Sequence, residues 1–589
     1  MEANMNTQIP IKEFLAYGEI QGSYEAIECK SNHFHPNPQE FNFSNGFLTG
    51  LKYDSLEYIR RWCQHSKKLN FYTFPSNPSI WKNFLPEGLY NEIPVKVSRF
   101  LNKSHHIPKK NNILVWKINS SGYEHVAIIT EVNLELEYIR IAEQNKHFYK
   151  WFGDYSRELK FLKNHENYEI LDEYEVLGWI EILDEQRDDH IENVRKVSFN
   201  AKPLGDWIDM NDPAENLFST DSVNLGISKD VLEYYAMTEN FAAKVLAGSV
   251  ELNYMSLKAT KKVVDSDELL GKFMIPEVFW HMIRRSWEER TDYLAGRLDL
   301  AFNGKNVKMI EYNADSAGVF IESGLIMEKW AKATGCDVGI ETCSGFHKSF
   351  VDFWKNYNKN SRVHVLIDNE DIEELYMGKY MCRILKEAGL DYFESIKNSG
   401  LSKLPDGTIV DSDNIPLTLV WKTWNWNTIL NDYLTQPQDT EIVTLSNVFL
   451  NPKINVIEPL WKIITTNKAL MAVICEMLPN HPRILKTVFE LTEDMKKNSY
   501  VVKPITGRQG QNIKIVQVDE KDNENEEEKK IENNGNIYQE YFKLPVYNGY
   551  MPILGSWIVR GQPQGFLIRD SRELITEYQS YILPCRVIS

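Results

Sequence analysis

Residues 297–313 read RLDLAFNGKNVKMIEYN. Arg297 and Asp299 alternate with Leu298 and Leu300, so on a strand the two charged side chains share one face and the leucines the other. The run Met309-Ile310-Glu311-Tyr312-Asn313 repeats the pattern and puts Glu311 and Asn313 on one face. Asn303-Gly304 is a hairpin turn signal that joins the two strands. The hairpin brings Asp299, Glu311 and Asn313 together, three oxygen ligands of the kind that suit hard Mg2+. Arg297 on the same face is placed to neutralise phosphate charge in a transition state. The same residues also fit a half-exposed hairpin whose polar face is only solvated.

On either side of this hairpin the chain reads as mixed α and β. Residues 229–259 and 277–295 carry helical apolar periodicity, and Val363 to Gly389 reads as strand, loop and helix. The stretch WKIITT before Asn467 is strand-like. From Tyr500 the pattern turns to five strands: YVVKPI, NIKIVQV, NIYQEYF, LGSWIVR and GFLIR. The charged low-complexity insert between the second and third, residues 518–535, reads as a disordered loop. Lys468 follows WKIITT and Asn467, and Lys503 interrupts an otherwise apolar strand. A desolvated lysine is costly unless it meets an anion, and a nucleotide phosphate is one candidate. Thr506 to Asn512 is a polar glycine loop able to close over phosphates with its backbone amides. Glu373 and Glu374 lie in an acidic stretch with Asp368, Glu370 and Asp371, which fits either an amine site or a helix start that complements the dipole.

The first 185 or so residues form a separate pattern, ending with the strand-like Trp179-Ile180-Glu181-Ile182-Leu183 and the polar run Asp184 to Asn193. Ser55 stands near the start of an amphipathic helix. His125 opens the strand EHVAII, and Glu143 ends the strand IRIAE. A nucleophile at a helix N-terminus, a strand histidine and an orienting carboxylate are the parts of a papain-like amidase.

With 589 residues, 43% hydrophobic and 25% charged, the chain has the composition of an ordinary globular protein of several domains. A net charge of -17 argues against nucleic acid as a partner. Seven scattered cysteines without a CxxC pair indicate neither zinc nor a disulfide framework, and a reducing, cytoplasmic location follows. No secretory leader and no membrane span are expected. Oligomeric state is not legible.

The runs RLDL, IEYNADSA, WKTW, NKA, VVKPITGRQGQN and NIYQEYF, in this order over residues 297–542, resemble the synthetase domain of the glutathionylspermidine synthetase/amidase and trypanothione synthetase family. The resemblance implies an α+β, multi-domain chain: a papain-like, CHAP-type amidase domain over 1–195, then an ATP-grasp-like synthetase domain over 196–589. It implies ligation of the glycine carboxylate of glutathione to an amine of spermidine, or of glutathionylspermidine where a second glutathione is added to give trypanothione. A catalytically dead glutathione- or polyamine-binding relative is the competing reading. ATP and Mg2+ are the implied cofactors, with Asp299, Glu311 and Asn313 as metal ligands and Arg297 stabilising the transferred phosphoryl group. Lys468, Lys503, Arg508, Gln509, Gly510 and Gln539 match ATP contacts. Ser316, Glu373, Glu374, Thr423 and Arg569 match the glutathione and amine sites. Two departures stand out. Gly318 replaces a common serine, and Ser55 occupies the position of the amidase cysteine. A serine hydroxyl is far less acidic than a thiol, so the amidase is expected to be absent or very slow.

Overall fold

The computed structural model describes residues 14–588 apart from 35–38, 75–78, 119–123, 189–191, 201–206, 222–230, 290–291, 358–360, 437–441, 508–509, 518–534 and 576–579. The expected loop at 518–535 therefore lies almost wholly outside the described residues, as do Arg508, Gln509 and Lys229. The chain divides into two compact units, Met1–Ile191 and Glu192–Ser589.

The first unit is built on a seven-stranded antiparallel sheet. Its strands run in the order Asn167–Leu171, Arg157–Asn164, Tyr138–Glu143, Glu124–Asn133, Ile113–Lys117, Glu175–Gln186 and Val95–Leu101. Alternation along the strands serves two cores. Ile113, Val115, Val126, Ile128 and Ile180 pack with Tyr58, Ile59 and Trp62 of the helix Ser55–Trp62. Leu114, Trp116, Ala127, Ile129 and Trp179 form the opposite core. Both faces are covered, which explains why the central strands read as near-continuous apolar runs.

Among the described residues the second unit combines four larger sheets and a two-stranded one, Ser402–Lys403 with Ile409–Val410. The hairpin of residues 297–313 lies in a five-stranded antiparallel sheet, ordered Val307–Asn313, Ala295–Phe302, Met551–Val559, Gln562–Ser571 and Tyr581–Leu583. Every residue of Ala295–Phe302 is buried. The 26-residue helix Glu239–Val264 packs on this sheet, with Ser249 donating to Ser556 and Tyr312 to Asn253. A parallel sheet of Tyr392–Ile396, Val363–Ile367, Leu419–Lys422 and Asn455–Ile457 carries the helix Ile372–Ala388. A third, antiparallel sheet holds Thr487–Val488, Asn536–Glu540, Tyr500–Pro504 and Lys514–Val516. The fourth joins Val194–Asn200, Val231–Thr238, Cys585–Ile588 and Ile340–Glu341, so both ends of the unit meet in one sheet.

Three local expectations change. Val231–Thr238 is a strand, not helix, because it lies between Val194–Asn200 and Cys585–Ile588 and satisfies its backbone with both. The helix expected over 277–295 is confined to Trp280–Glu288 with a short 3-10 turn before it, and Ala295 already opens the hairpin strand. The strand-like WKIITT contains a short helix, Lys462–Thr466. Here Lys462 Nζ meets the Glu458 carboxylate four residues earlier and the Ala295 carbonyl, so tertiary partners override β-branched propensity.

Buried ion pairs tie these layers together. Asp315, just beyond the hairpin, accepts from Lys422 Nζ and from the Trp426 amide, each at 2.8 Å, and both side chains are about 1% exposed or less. Asp315→Ala leaves Lys422 charged without its partner. The denaturant transition of the second unit should then lose about 3–5 kcal/mol.

Candidate functional site

The hairpin register sets Arg297 opposite Asn313 and Asp299 opposite Glu311, then slips, so that Leu300 faces Met309. Ile310 is the extra residue of this bulge. The slip returns Met309 to the core and leaves Ile310, Glu311 and Asn313 lining a cavity with Arg297, Asp299 and Ala301. Strict alternation in the sequence could not reveal it. The Ile310 carbonyl accepts from Lys503 Nζ at 3.2 Å.

The cavity measures about 870 Å3. The charges on its floor are matched. Asp299 accepts from Arg297 Nε at 2.9 Å and from Arg569, which reaches in from Gln562–Ser571. Gly555 lies opposite Asp299 on the neighbouring strand, where an added Cβ would stand 2.9 Å from Arg297 Cδ, so only glycine lets that side chain cross. Burial opposes the Glu311 charge, but Lys468, Lys503 and Arg569 hold its carboxyl down at about 2. Burial, with Lys468 nearby, pulls the Lys503 ammonium down to about 8. Burial likewise lowers Arg569, with Asp299 opposing.

Asn313 Nδ2 donates to Asp299 at 3.1 Å and to Glu311 at 3.3 Å, so the three side chains form one cluster. The two carboxylates, and the Asn313 Oδ1 once the amide flips from the Nδ2-inward setting seen here, are oxygen donors that fit a hard divalent cation. Among the described residues, no group of three or more His, Cys, Asp or Glu side chains is placed to hold a metal.

The third sheet supplies the other wall. Lys503 Nζ donates to Gln539 Oε1 at 2.6 Å, and Gln539 in turn donates to Thr487. Lys468 lies 3.3 Å from Glu311 and donates to the Gly507 carbonyl at 2.9 Å, tying the glycine loop to the floor. Gly510 takes φ +73, a left-handed conformation natural for glycine. Ser316, Glu373 and Glu374 line the remaining side with Glu370 and Asp371. Both glutamates stand in the first turn of Ile372–Ala388, with Asp371 as N-cap. Thr423 is not among the lining residues. Its hydroxyl accepts from the Asp368 amide and donates to Glu374 at 3.4 Å, so it supports the wall from behind. Asp315 and Lys422 were not singled out from sequence, although both lie in quoted motifs, IEYNADSA and WKTW. Only their mutual burial marks them.

In the first unit, His125 Nε2 bonds Glu143 Oε2 at 2.8 Å. Burial would raise the Glu143 carboxyl, but His125 and Arg157 bring it down to about 2. Arg157 donates to Glu143 and to Asp172. Gln144 and Asn145, just past Glu143, donate to the Asp54 carbonyl and carboxylate, which fixes the start of the Ser55 helix beside the histidine strand. Ser55 is buried, and no hydrogen bond joins its hydroxyl to His125 among the described residues. Cys63 follows the helix fully buried, its thiol pushed up to about 12 by burial. Cys29 is on the strand Ile27–Lys30, and burial raises its thiol strongly.

Comparison with known proteins makes the chain a carbon–nitrogen ligase that also carries a CHAP domain. The glutathionylspermidine synthase preATP-grasp family matches residues 227–588, and the CHAP domain family matches 49–145. A trypanothione synthetase from Crithidia fasciculata is 30% identical over 97% of this chain and 94% of its own length. A bifunctional glutathionylspermidine synthetase/amidase from Escherichia coli K12 is 31% identical, covering 94% of each. A glutathionylspermidine synthase from Crithidia fasciculata is 27% identical over 92% of this chain and 88% of its own. The chain belongs to the glutathionylspermidine synthase family. Among the described residues, no helix is long and apolar enough to cross a membrane.

Glu143 also sets an acid limit for the first unit. Its carboxyl is depressed from an ordinary 4.5 to about 2, so it contributes stability above pH 4.5 that is lost as pH falls toward 2. Acid titration followed by circular dichroism should show this limb flattened in Glu143→Gln.

Proposed function

We propose that the second unit joins the glycine carboxylate of glutathione to an amine of spermidine by way of an acyl phosphate made from ATP. The observation that carries this reading is the convergence of Arg297, Asp299, Glu311, Lys468, Lys503 and Arg569 on one cavity. A carboxylate is a poor electrophile and must be activated before an amine attacks it. Its oxygen attacks the γ-phosphorus of ATP, and the bond to the ADP oxygen breaks. The amine nitrogen then attacks the acyl carbon, phosphate leaves, and the nitrogen gives up a proton.

Lys468 and Lys503 are set to receive the nucleotide phosphates, with Gln539 orienting Lys503 through its 2.6 Å bond. The glycine loop, tied to Lys468 at Gly507, supplies amides over the phosphates, with Arg508 and Gln509 carried by resemblance alone. Arg297, braced by Asp299, meets the charge that grows on the transferred phosphoryl group. Asp299, Glu311 and Asn313 are the residues that would hold Mg2+. When bound, that ion supplies further neutralisation of phosphate charge. Ser316 and Arg569 border the acyl end, and the acidic wall of Glu370, Asp371 and Glu374 suits a cationic amine.

For the first unit we propose that hydrolysis of the conjugate is absent or very slow. Ser55 stands where a thiol belongs, and the nearby cysteines are buried thiols held in their neutral form. A cytoplasmic setting fits these unpaired, buried cysteines.

The test is ADP release with glutathione, with and without spermidine, and the mass of the product. Spermidine-dependent release with one glutathione added supports the reading, and a doubly coupled product makes the chain a trypanothione synthetase. Release that ignores the amine sinks it. Arg297→Lys keeps the charge but loses the planar fork, and should lower kcat about 100-fold. Ser55→Cys should gain hydrolysis of glutathionylspermidine well above the unaltered chain. Equal rates would refute the account of Ser55.

A further inference from the structure

The helix Ser55–Trp62 begins in an unusual way. Its N-cap, Asp54, folds its carboxylate back on the next residue, where Oδ1 accepts the Ser55 N–H at 2.8 Å. A capping side chain ordinarily bonds the second or third amide of its helix. Asp212, Thr238, Ser266, Asp371 and Asn425 all do so in the second unit. Asp54 is held in its setting from the end of the strand Tyr138–Glu143. The same Oδ1 accepts Asn145 Nδ2 at 3.2 Å, and Gln144 Nε2 donates to the Asp54 carbonyl at 2.9 Å. Asn145 has φ +64, in the left-handed region that asparagine enters more readily than most residues. Two donors beside the nucleophile position, a backbone N–H and a side-chain amide, are thus both spent on one carboxylate oxygen.

Attack on an amide from position 55 makes a demand on those same donors. The bond from the nucleophile to the carbonyl carbon forms as the C=O π pair moves onto oxygen. A base takes the nucleophile's proton and passes it to the departing amine, the role open to His125, and water cleaves the acyl intermediate in the same way. The backbone N–H of a nucleophile that starts a helix is a ready donor to the oxyanion, because it carries the positive end of the helix dipole. We propose that Asp54 blocks this oxyanion position. Its carboxylate occupies the hydrogen-bonding direction of the Ser55 N–H and sets a negative charge where one must grow. The assignment rests on the reading of the first unit given above and adds a second obstacle to the missing thiol. Restoring the thiol alone then recovers only part of the hydrolysis.

The experiment uses the full chain with Ser55→Cys, alone and combined with Asp54→Gly or Asp54→Asn. Glycine removes the acceptor and its charge together and still serves as an N-cap. Asparagine keeps the cap and removes only the charge. Hydrolysis of glutathionylspermidine should rise about 100-fold when Asp54→Gly is added to Ser55→Cys, the worth of one oxyanion donor. Adding Asp54→Asn should give about tenfold, because a neutral acceptor yields the N–H to an oxyanion more easily. The gain should lie in kcat, with KM within about threefold, since the donor is needed only as charge grows on oxygen. Alkylation by iodoacetamide, located by peptide mass, reads access to the thiol and its acidity without forming an oxyanion. It should change by less than about fivefold, a smaller effect than the release of an oxyanion donor.

A flat response to both changes at residue 54 overturns the proposal. So does a gain confined to KM, or alkylation that rises as much as hydrolysis, which would place the effect of Asp54 on the thiol and not on the oxyanion. Should Asp54→Gly disturb the helix start, the capped Asp54→Asn form carries the test, and no gain there is enough to overturn it. The reading of Ser55 fails separately, when the unaltered chain hydrolyses the conjugate as fast as Ser55→Cys. A flat response at residue 54 with Ser55→Cys still faster than the unaltered chain removes Asp54 as an obstacle and leaves that reading in place.

Discussion

A charge taken out of water must meet an opposite charge, and in the second unit that requirement organises the site. Asp299 is shared by Arg297 and Arg569, Glu311 by Lys468 and the field of Lys503, and Asp315 by Lys422. The partners come from different sheets. Arg569 belongs to the strand beyond Met551–Val559, Lys503 to the third sheet, and Lys422 to the parallel sheet. Pairing these charges therefore docks the layers around the hairpin, and the charges that dock them also line the cavity. The cavity is thus already equipped with charges of both signs.

The small irregularities matter as much as the charges. The bulge at Ile310 returns Met309 to the core while keeping Glu311 and Asn313 on the cavity side. It also directs a carbonyl to Lys503. Gly555 clears the path for the Arg297 side chain, and Gly318 makes room for Glu373. Each of these is a backbone solution to a side-chain problem. Together they hold Arg297 with contacts on two sides, through Asp299 and through the Gly318 carbonyl.

The first unit sets a paired histidine and carboxylate beside the helix that begins at Ser55. Glu143 orients His125, Arg157 and Asp172 steady Glu143, and Gln144 and Asn145 anchor the helix that begins at Ser55. His125, Glu143, Arg157 and Asp172 pair with one another, so this network is stable whether or not residue 55 reacts. The sheet, the helix and the His125–Glu143 pair hold together with a hydroxyl rather than a thiol at position 55.

Much of this was legible in sequence. Period-two alternation marked both strands of the hairpin and the face that carries Arg297, Asp299, Glu311 and Asn313, because those side chains are set by local geometry. Strand, loop and helix over 363–389 and the strand series after Tyr500 were equally local, as was the His125 strand. What only the tertiary structure decided were matters of long-range partnership. Val231–Thr238 is a strand because two distant strands flank it, and Lys462–Thr466 is helical because Glu458 and Ala295 receive its lysine. Thr423 stands behind Glu374 rather than in the cavity, and the adjacent Glu373 and Glu374 meet different partners. A sequence carries the periodicity that assigns a side chain to a face. The partner that side chain meets is chosen by layers hundreds of residues apart, when they exclude water together.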